Sequence, residues 1–301
     1  MPNDRIAGVI VPLVTPLTPN GQVDIDGLRA QVRRCIEAGA AAVFAGGSAG
    51  AGPLLRQADW ELMARIVWEE AQGQCKALIG IIATSTALAL DRIATSRQIG
   101  YDTIVVTPTF YITLTRDSEM LAHFEACRNA TDQAMILYNI PGCTGSAISV
   151  AAMSQMVKNN WGVAIKESSG DPDYFRQLLQ LSRETGISVL QGNETDIGWS
   201  LLEGAAGIVP VCANYDPALF VNAYSILTSP DGATRRAGVQ QQLDALREAL
   251  LVGDHNWIAG ITWGLKSLGI GTGIPPLPLQ PVDAARALLI EALHVAGQLR
   301  P

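Results

Sequence analysis

Ala134-Met135-Ile136-Leu137-Tyr138-Asn139-Ile140-Pro141 and Trp161-Gly162-Val163-Ala164-Ile165-Lys166-Glu167-Ser168 bracket the stretch that decides the fold. Each is a short apolar run that stops at polar residues, and residues 149–157 between them carry apolar side chains at helical spacing. Short apolar runs without alternation read as strands buried on both faces, the mark of a parallel sheet covered by helices. The unit is strand, helix, parallel strand.

Outward from this stretch the unit repeats. Apolar, β-branched runs lie at 8–14, 41–45, 77–83, 103–107, 134–139, 162–166, 188–191 and 207–211, with helical patterns between them at 26–38, 58–72, 87–99, 118–130, 149–157, 172–184 and 194–203. Strands and helices alternating in this number predict an α/β fold, a closed (β/α)8 TIM barrel, with an open doubly wound sheet as the rival. The glycine-rich Gly46-Gly47-Ser48-Ala49-Gly50-Ala51-Gly52 follows the second run rather than the first and carries no lysine, so it gives no support to a phosphate-binding loop. After the eighth run come helical patterns at 233–251 and 284–296, a less regular 257–268, and a Gly/Pro-rich breaker from Gly269 to Pro278. The expected organisation is a barrel over 1–230 and a C-terminal helical extension packed on it over 231–301.

Composition excludes several classes. The 301 residues are 48% hydrophobic and 16% charged with a net charge of −7, enough apolar content for a large core and too little basic character for nucleic acid. Five cysteines, Cys35, Cys75, Cys127, Cys143 and Cys212, have no CxxC spacing, so neither a disulfide framework nor a zinc knuckle is expected. No uninterrupted apolar stretch reaches membrane-spanning length, and Met1-Pro2-Asn3-Asp4-Arg5 lacks the form of a signal peptide. A cytoplasmic protein without membrane contact is the expectation.

Active sites of such barrels lie where the C-terminal ends of the strands meet. Thr15, Ser48, Thr84, Thr107, Tyr138, Lys166, Gln191 and Pro210 end the eight runs and are expected to converge there. Lys166 is the one cation among them. An ammonium at the mouth of an apolar strand is costly unless it is paired or deprotonated. Glu167 or Glu194 would serve a structural ion pair, although Glu167, as the next strand residue, points to the opposite face. A deprotonated amine is instead a nucleophile toward carbonyl carbon, and the iminium it forms with a ketone withdraws electrons from the neighbouring carbon. Tyr138 can relay protons to the carbinolamine and Ser48 can pass them on. Tyr138 also has a plainer reading as a packed tyrosine, and the glycines around Ser48 as a tight loop.

These residues resemble a known family. Gly47-Ser48-Ala49-Gly50, Tyr138-Asn139-Ile140-Pro141-Gly142-Cys143-Thr144-Gly145, Ile165-Lys166-Glu167-Ser168-Ser169-Gly170-Asp171 and Gly204-Ala205-Ala206-Gly207-Ile208 are similar to motifs of the dihydrodipicolinate synthase and N-acetylneuraminate lyase family, over about residues 5–298. The resemblance implies class I pyruvate-type aldolases, homotetramers built as dimers of dimers, with Lys166 as Schiff-base lysine and Tyr138 as catalytic tyrosine. It implies that Ser48 and the Ala49 N–H hold the 2-oxo-acid carboxylate, and that Gly192 and Ile208 line the substrate site. No cofactor and no metal are implied, because the iminium is itself the electron sink.

The chain departs from the family at telling positions. Ala49 and Ala51 stand where a hydroxyl and a glutamate are usual, and Cys143 stands where dihydrodipicolinate synthases carry the arginine that holds the second substrate's carboxylate. The partner-subunit tyrosine of the proton relay falls on Thr107-Pro108-Thr109-Phe110-Tyr111, where Tyr111 preserves the relay and Phe110 does not. The acidic pair of sialic acid lyases falls on Glu194 and Thr195, with Pro210 replacing a hydroxyl, while Ser168, Ser169, Asn193 and Glu194 offer hydrogen bonds to a polar tail. The expected function is a Schiff-base lyase, aldolase or dehydratase, acting on pyruvate or a 2-oxo-3-deoxy sugar acid. The alternatives are dihydrodipicolinate synthase, condensing pyruvate with aspartate semialdehyde, and a non-catalytic 2-oxo-acid-binding regulator.

Overall fold

The computed structural model describes residues 5–296. The reading of Met1–Asp4 and the outer ends of the two expected units lie outside the described residues. In chain order the barrel comprises β1 (Gly8–Pro12), α1 (Ile25–Glu37), β2 (Ala42–Ala45), α2 (Gln57–Ala71), β3 (Lys76–Ile81), α3 (Thr86–Ile99), β4 (Thr103–Val106), α4 (Asp117–Asn129) and β5 (Ala134–Asn139). It continues through α5 (Pro141–Thr144), α6 (Val150–Lys158), β6 (Ala164–Glu167), α7 (Pro172–Thr185), β7 (Ser188–Gln191), α8 (Ile197–Leu202), β8 (Gly207–Ile208) and α9 (Pro217–Leu227). Three helices follow, α10 (Gly232–Leu251), α11 (Trp257–Ser267) and α12 (Ala284–Ala296). All eight strands pair in parallel with their sequence neighbours, and β8 pairs back to β1 through Gly8 with Gly207 and Val9 with Ile208. The sheet is closed, so the doubly wound rival is excluded.

Strand period two divides the apolar residues between two cores. Ile10, Phe44, Leu78, Val105, Ile136, Tyr138, Ala164, Leu190 and Val209 fill the barrel interior. Val11, Val43, Ile79, Ile104, Leu137, Ile165, Val189 and Ile208 point outward into the larger layer shared with the helices. The helices start where short polar side chains satisfy the first N–H groups. Asp24 accepts from the Gly27 N–H ahead of α1, and Asp171 accepts from Asp173 and Tyr174 ahead of Pro172 at the start of α7, which then ends at Gly186 in the left-handed region.

Some elements differ from the sequence expectation. The eighth strand is only Gly207–Ile208, and the chain then turns through Val211–Asn214. The pattern at 194–203 is a short turn at Glu194–Asp196 followed by α8. Helix α9 has no counterpart in the pattern reading, and α11 is regular where an irregular segment is expected. Both are apolar on most faces, with Leu219, Phe220, Ala223 and Leu227 buried in α9 and Ile258, Ala259, Ile261 and Leu265 buried in α11, so no polar face marks their period. No described helix is long and apolar enough to cross a membrane.

The loop after β2 is pressed against β3. A β-carbon on Gly80 would lie 2.4 Å from the Gly46 carbonyl oxygen, and one on Gly52 would lie 2.1 Å from the same atom. Gly80→Ala therefore displaces backbone, not a flexible side chain. The expected cost is about 1–3 kcal/mol, read as a lower urea midpoint with an unchanged slope.

Candidate active site

Strand register brings the two singled-out residues together. In the β5–β6 ladder Tyr138 pairs with Lys166 and Asn139 with Glu167, so one pair faces the interior and the next faces the helices. Lys166 is 6% exposed, and its Nζ lies 4.1 Å from the centroid of the Tyr138 ring and 4.9 Å from that of Phe44 on β2. No described carboxylate pairs with it. Glu167 receives the Asn139 amide at 2.7 Å and the Ser169 N–H, and Glu194 receives the Cys212 N–H at 2.8 Å. The ion-pair reading of Lys166 is thereby set aside.

Burial pulls the Lys166 pKa from 10.5 down to about 7, with the nearby Cys143 opposing the fall. Two ring faces favour the ammonium and oppose the fall. Burial remains the dominant influence on the amine. Lys166 is therefore partly free amine at neutral pH. The Tyr138 phenol moves the other way, raised well above its ordinary value chiefly by burial, and Ser168 and Ser48 approach it and oppose the rise. A phenol that stays protonated next to an amine that does not is an arrangement for proton relay.

Ser48 sits on a loop fastened from both sides. The Ala51 N–H donates to the Ser48 carbonyl, Gly52 N–H to the Gly47 carbonyl, and Thr15 Oγ1 at the end of β1 donates to the Gly50 carbonyl at 2.8 Å. The N–H groups of Ser48 and Ala49 donate to no acceptor among the described residues. Cys143, on the turn α5, is exposed; burial of its thiol raises its pKa while Ser48 and Lys166 lower it, and no guanidinium acts on it. Lys166, Tyr138, Ser48, Ser168 and Cys143 thus share one site.

Other expected residues have different placements. Gly192 lies against Ser168, since a β-carbon there would come 2.0 Å from the serine Oγ. Asn193 turns its amide to Asp196 at 2.7 Å. Glu194 is buried, holding the Cys212 N–H and, through its carbonyl, Gln240. The Ile208 side chain packs in the outer core, which leaves only its main chain toward the interior. Thr107 and Gln191 bond within their own turns, to Pro108 and Asn193. Phe110 lines a separate cavity of about 410 Å³ with Thr84, Leu88 and Arg92, whereas Tyr111 is 87% exposed with φ of 77°. The left-handed region is unfavourable for a tyrosine by about 1–3 kcal/mol.

Pattern reading missed Phe44 and the buried Asn139–Glu167 pair. Both were within reach of the period-two rule, which puts Phe44 inside the barrel and Asn139 and Glu167 on the same outward face.

The sequence matches the model of the Dihydrodipicolinate synthetase family over residues 5–294. The chain belongs to that family. It is 30% identical over 295 residues to the 4-hydroxy-tetrahydrodipicolinate synthase of Methylococcus capsulatus, covering 98% of this chain and 100% of the relative. Its fold is similar to that of dihydrodipicolinate synthase from Aquifex aeolicus, with a TM-score of 0.88 and 25% identity over 98% of this chain and 99% of the other. At the level of fold alone it resembles YagE, a prophage protein of the dihydrodipicolinic acid synthase family from E. coli K12 solved with pyruvate, with a TM-score of 0.90 and 22% identity over 98% and 99% of the two chains. As a dihydrodipicolinate synthetase family member the chain is a Schiff-base-forming lyase acting on pyruvate or another 2-oxo acid.

The lysine's environment has a measurable cost. Its folded pKa lies below its unfolded one, so between about pH 7 and 10.5 the unfolded chain binds the extra proton. Wild-type stability accordingly rises with pH through that window and carries the full penalty below it. Lys166→Met, which keeps the stem volume, is expected to raise the urea midpoint at about pH 6 by an amount worth a few kcal/mol. The difference should close as pH approaches 10.

Proposed function

We propose that Lys166 is the nucleophile, and that the reaction joins pyruvate to an aldehyde through an iminium and enamine. The observation that carries this reading is the buried, carboxylate-free amine 4.1 Å from the Tyr138 ring. The Lys166 amine adds to C2 of pyruvate, forming a C–N bond, and the carbinolamine loses water to give the iminium. A C3 proton then leaves, its electron pair forming the C2–C3 double bond of the enamine. Tyr138 relays the protons to and from the departing water and C3, with Ser48 as the next carrier. The Ser48 hydroxyl and the free N–H groups of Ser48 and Ala49 hold the carboxylate, which supplies the acceptors those donors lack.

Likeness over the full chain to 4-hydroxy-tetrahydrodipicolinate synthases favours aspartate semialdehyde as the partner of pyruvate. One observation favours the second reading, a 2-oxo-3-deoxy sugar acid. The second-substrate end presents Cys143, Ser168 and Ser169 rather than the guanidinium that a carboxylated aldehyde would be expected to meet. The proposal extends to a dimer or dimer of dimers in which Tyr111 completes the relay of a partner subunit. Its exposure and positive φ support this, because a strained exposed tyrosine is explained by a contact outside its own chain.

Borohydride reduction in the presence of pyruvate should add the reduced pyruvate to Lys166, as located by peptide mass spectrometry. The rate of labelling should fall about tenfold per pH unit below about 7, following the free amine. No adduct with pyruvate or with larger 2-oxo acids sinks the reading. A coupled reductase assay with aspartate semialdehyde separates the two substrates. Cys143→Arg should then raise kcat/KM for aspartate semialdehyde at least about tenfold, the worth of one charged hydrogen-bonded pair.

A further inference from the structure

Behind the site, on the outward face of the barrel wall, Glu167 is a carboxylate that is 1% exposed and has no ion pair among the described residues. Its Oε2 accepts from Asn139 Nδ2 at 2.7 Å and its Oε1 accepts from the Ser169 N–H. Burial pushes the Glu167 pKa up, and the donors received by both oxygens oppose that rise by favouring the ionised group. The Glu167 carbonyl accepts the Gly192 N–H at 2.7 Å, the Asn139 carbonyl accepts the Ser168 N–H at 3.0 Å, and Asn139 Oδ1 accepts the Ile148 N–H at 2.9 Å. The two side chains therefore fasten the ends of β5 and β6 to each other, to the turn at Ser169 and to the segment that returns from α5, while their main chains hold Ser168 and the end of β7.

We infer that Glu167, through Asn139, is the positioning residue that fixes the Tyr138 phenol against the Lys166 amine for proton transfer. The inference rests on the Schiff-base reading above. Glu167 and Lys166 are consecutive, as are Asn139 and Tyr138, so the outward hydrogen bond sets how the two inward side chains lie relative to each other. The carboxylate also acts on Tyr138 electrostatically, helping to keep it a phenol, which is the form that donates a proton. A buried, unpaired carboxylate is costly, and a core designed only for stability would carry an apolar residue there.

The bonding pattern permits a discriminating exchange. In Glu167→Gln the new amide meets either the Asn139 amide or the Ser169 N–H donor to donor, and Asn139 cannot turn over because its Oδ1 already holds Ile148. In the double variant Asn139→Asp, Glu167→Gln every donor again finds an acceptor, with the carboxylate moved one strand across. The test uses pyruvate alone in deuterium oxide. Borohydride trapping carried to its end point reports whether the iminium can form at Lys166, and exchange of the pyruvate methyl protons followed by NMR reports the rate of the C3 proton transfer that Tyr138 serves.

Glu167→Gln should still trap pyruvate at Lys166 with a KM close to wild type, while kcat for methyl exchange falls on the order of 10²-fold, the penalty for small misplacement of a reacting group. The double variant should recover exchange to within about tenfold of wild type. A wild-type enzyme that traps no pyruvate overturns the function and this inference together. Normal trapping in all proteins with exchange undiminished in Glu167→Gln, or no better in the double variant than in the single one, overturns this inference alone. A Glu167→Gln protein that unfolds is read through the double variant. If that variant folds and exchanges no faster than a Tyr138→Phe control, the inference is also overturned.

Discussion

Taking one amine out of water sets the terms for the rest of this molecule. A lysine inside a closed parallel barrel, with ring faces in place of a carboxylate, exchanges stability for a free electron pair at neutral pH. The barrel makes the exchange possible. Eight strands without an edge exclude solvent from the interior, where Leu78, Val105, Ile136 and Leu190 lie below the lysine, and no described carboxylate there restores what burial removes. A carboxylate partner would have returned the pKa toward its ordinary value and ended the nucleophile. The two acidic residues considered as its partners are accordingly turned elsewhere, Glu167 to the outer wall and Glu194 to the Cys212 N–H.

The same alternation of faces separates chemistry from scaffolding. Inward residues at the ends of β5 and β6 are the phenol and the amine, and the residues beside them in sequence face out and bond to each other. Loop ends are held by groups that are themselves polar strand termini. Thr15 holds the Ser48 loop, while Thr107 and Gln191 close their own turns. Polar residues at strand ends are thus of two kinds, those that face substrate and those that locate the loops carrying them. Type alone does not separate the kinds, because a threonine or glutamine suits either.

That distinction explains how much was legible beforehand. The barrel was readable because buried parallel strands leave continuous apolar runs, and the pairing of Lys166 with Tyr138 was readable because each ends such a run. Helix α9 was invisible for the reason that makes it stable, an apolar surface nearly all round that erases the 3.6-residue signal. Glu194 was read toward a substrate tail, and its carboxylate is instead enclosed beside Cys212, a residue eighteen positions away whose proximity depends on the short β8. Tyr111 and Phe110, adjacent in sequence, were not separable by type. The backbone separates them, with one in the left-handed region and exposed and the other in a wall.

The two halves of the site are constrained to different degrees. The pyruvate half rests on strand residues and a loop fastened by Thr15 and internal hydrogen bonds, with the Gly46 carbonyl hemmed in by Gly52 and Gly80. A change there disturbs backbone that cannot yield. The distal half is built from a four-residue turn bearing Cys143 and from the Ser168–Ser169 turn, both outside the strands. Substitution at Cys143 alters charge and shape at the site without touching a strand. On the proposed reading, chemistry is set by barrel register and partner choice by turns, so a cysteine in place of an arginine redirects the aldehyde while leaving the iminium machinery in place.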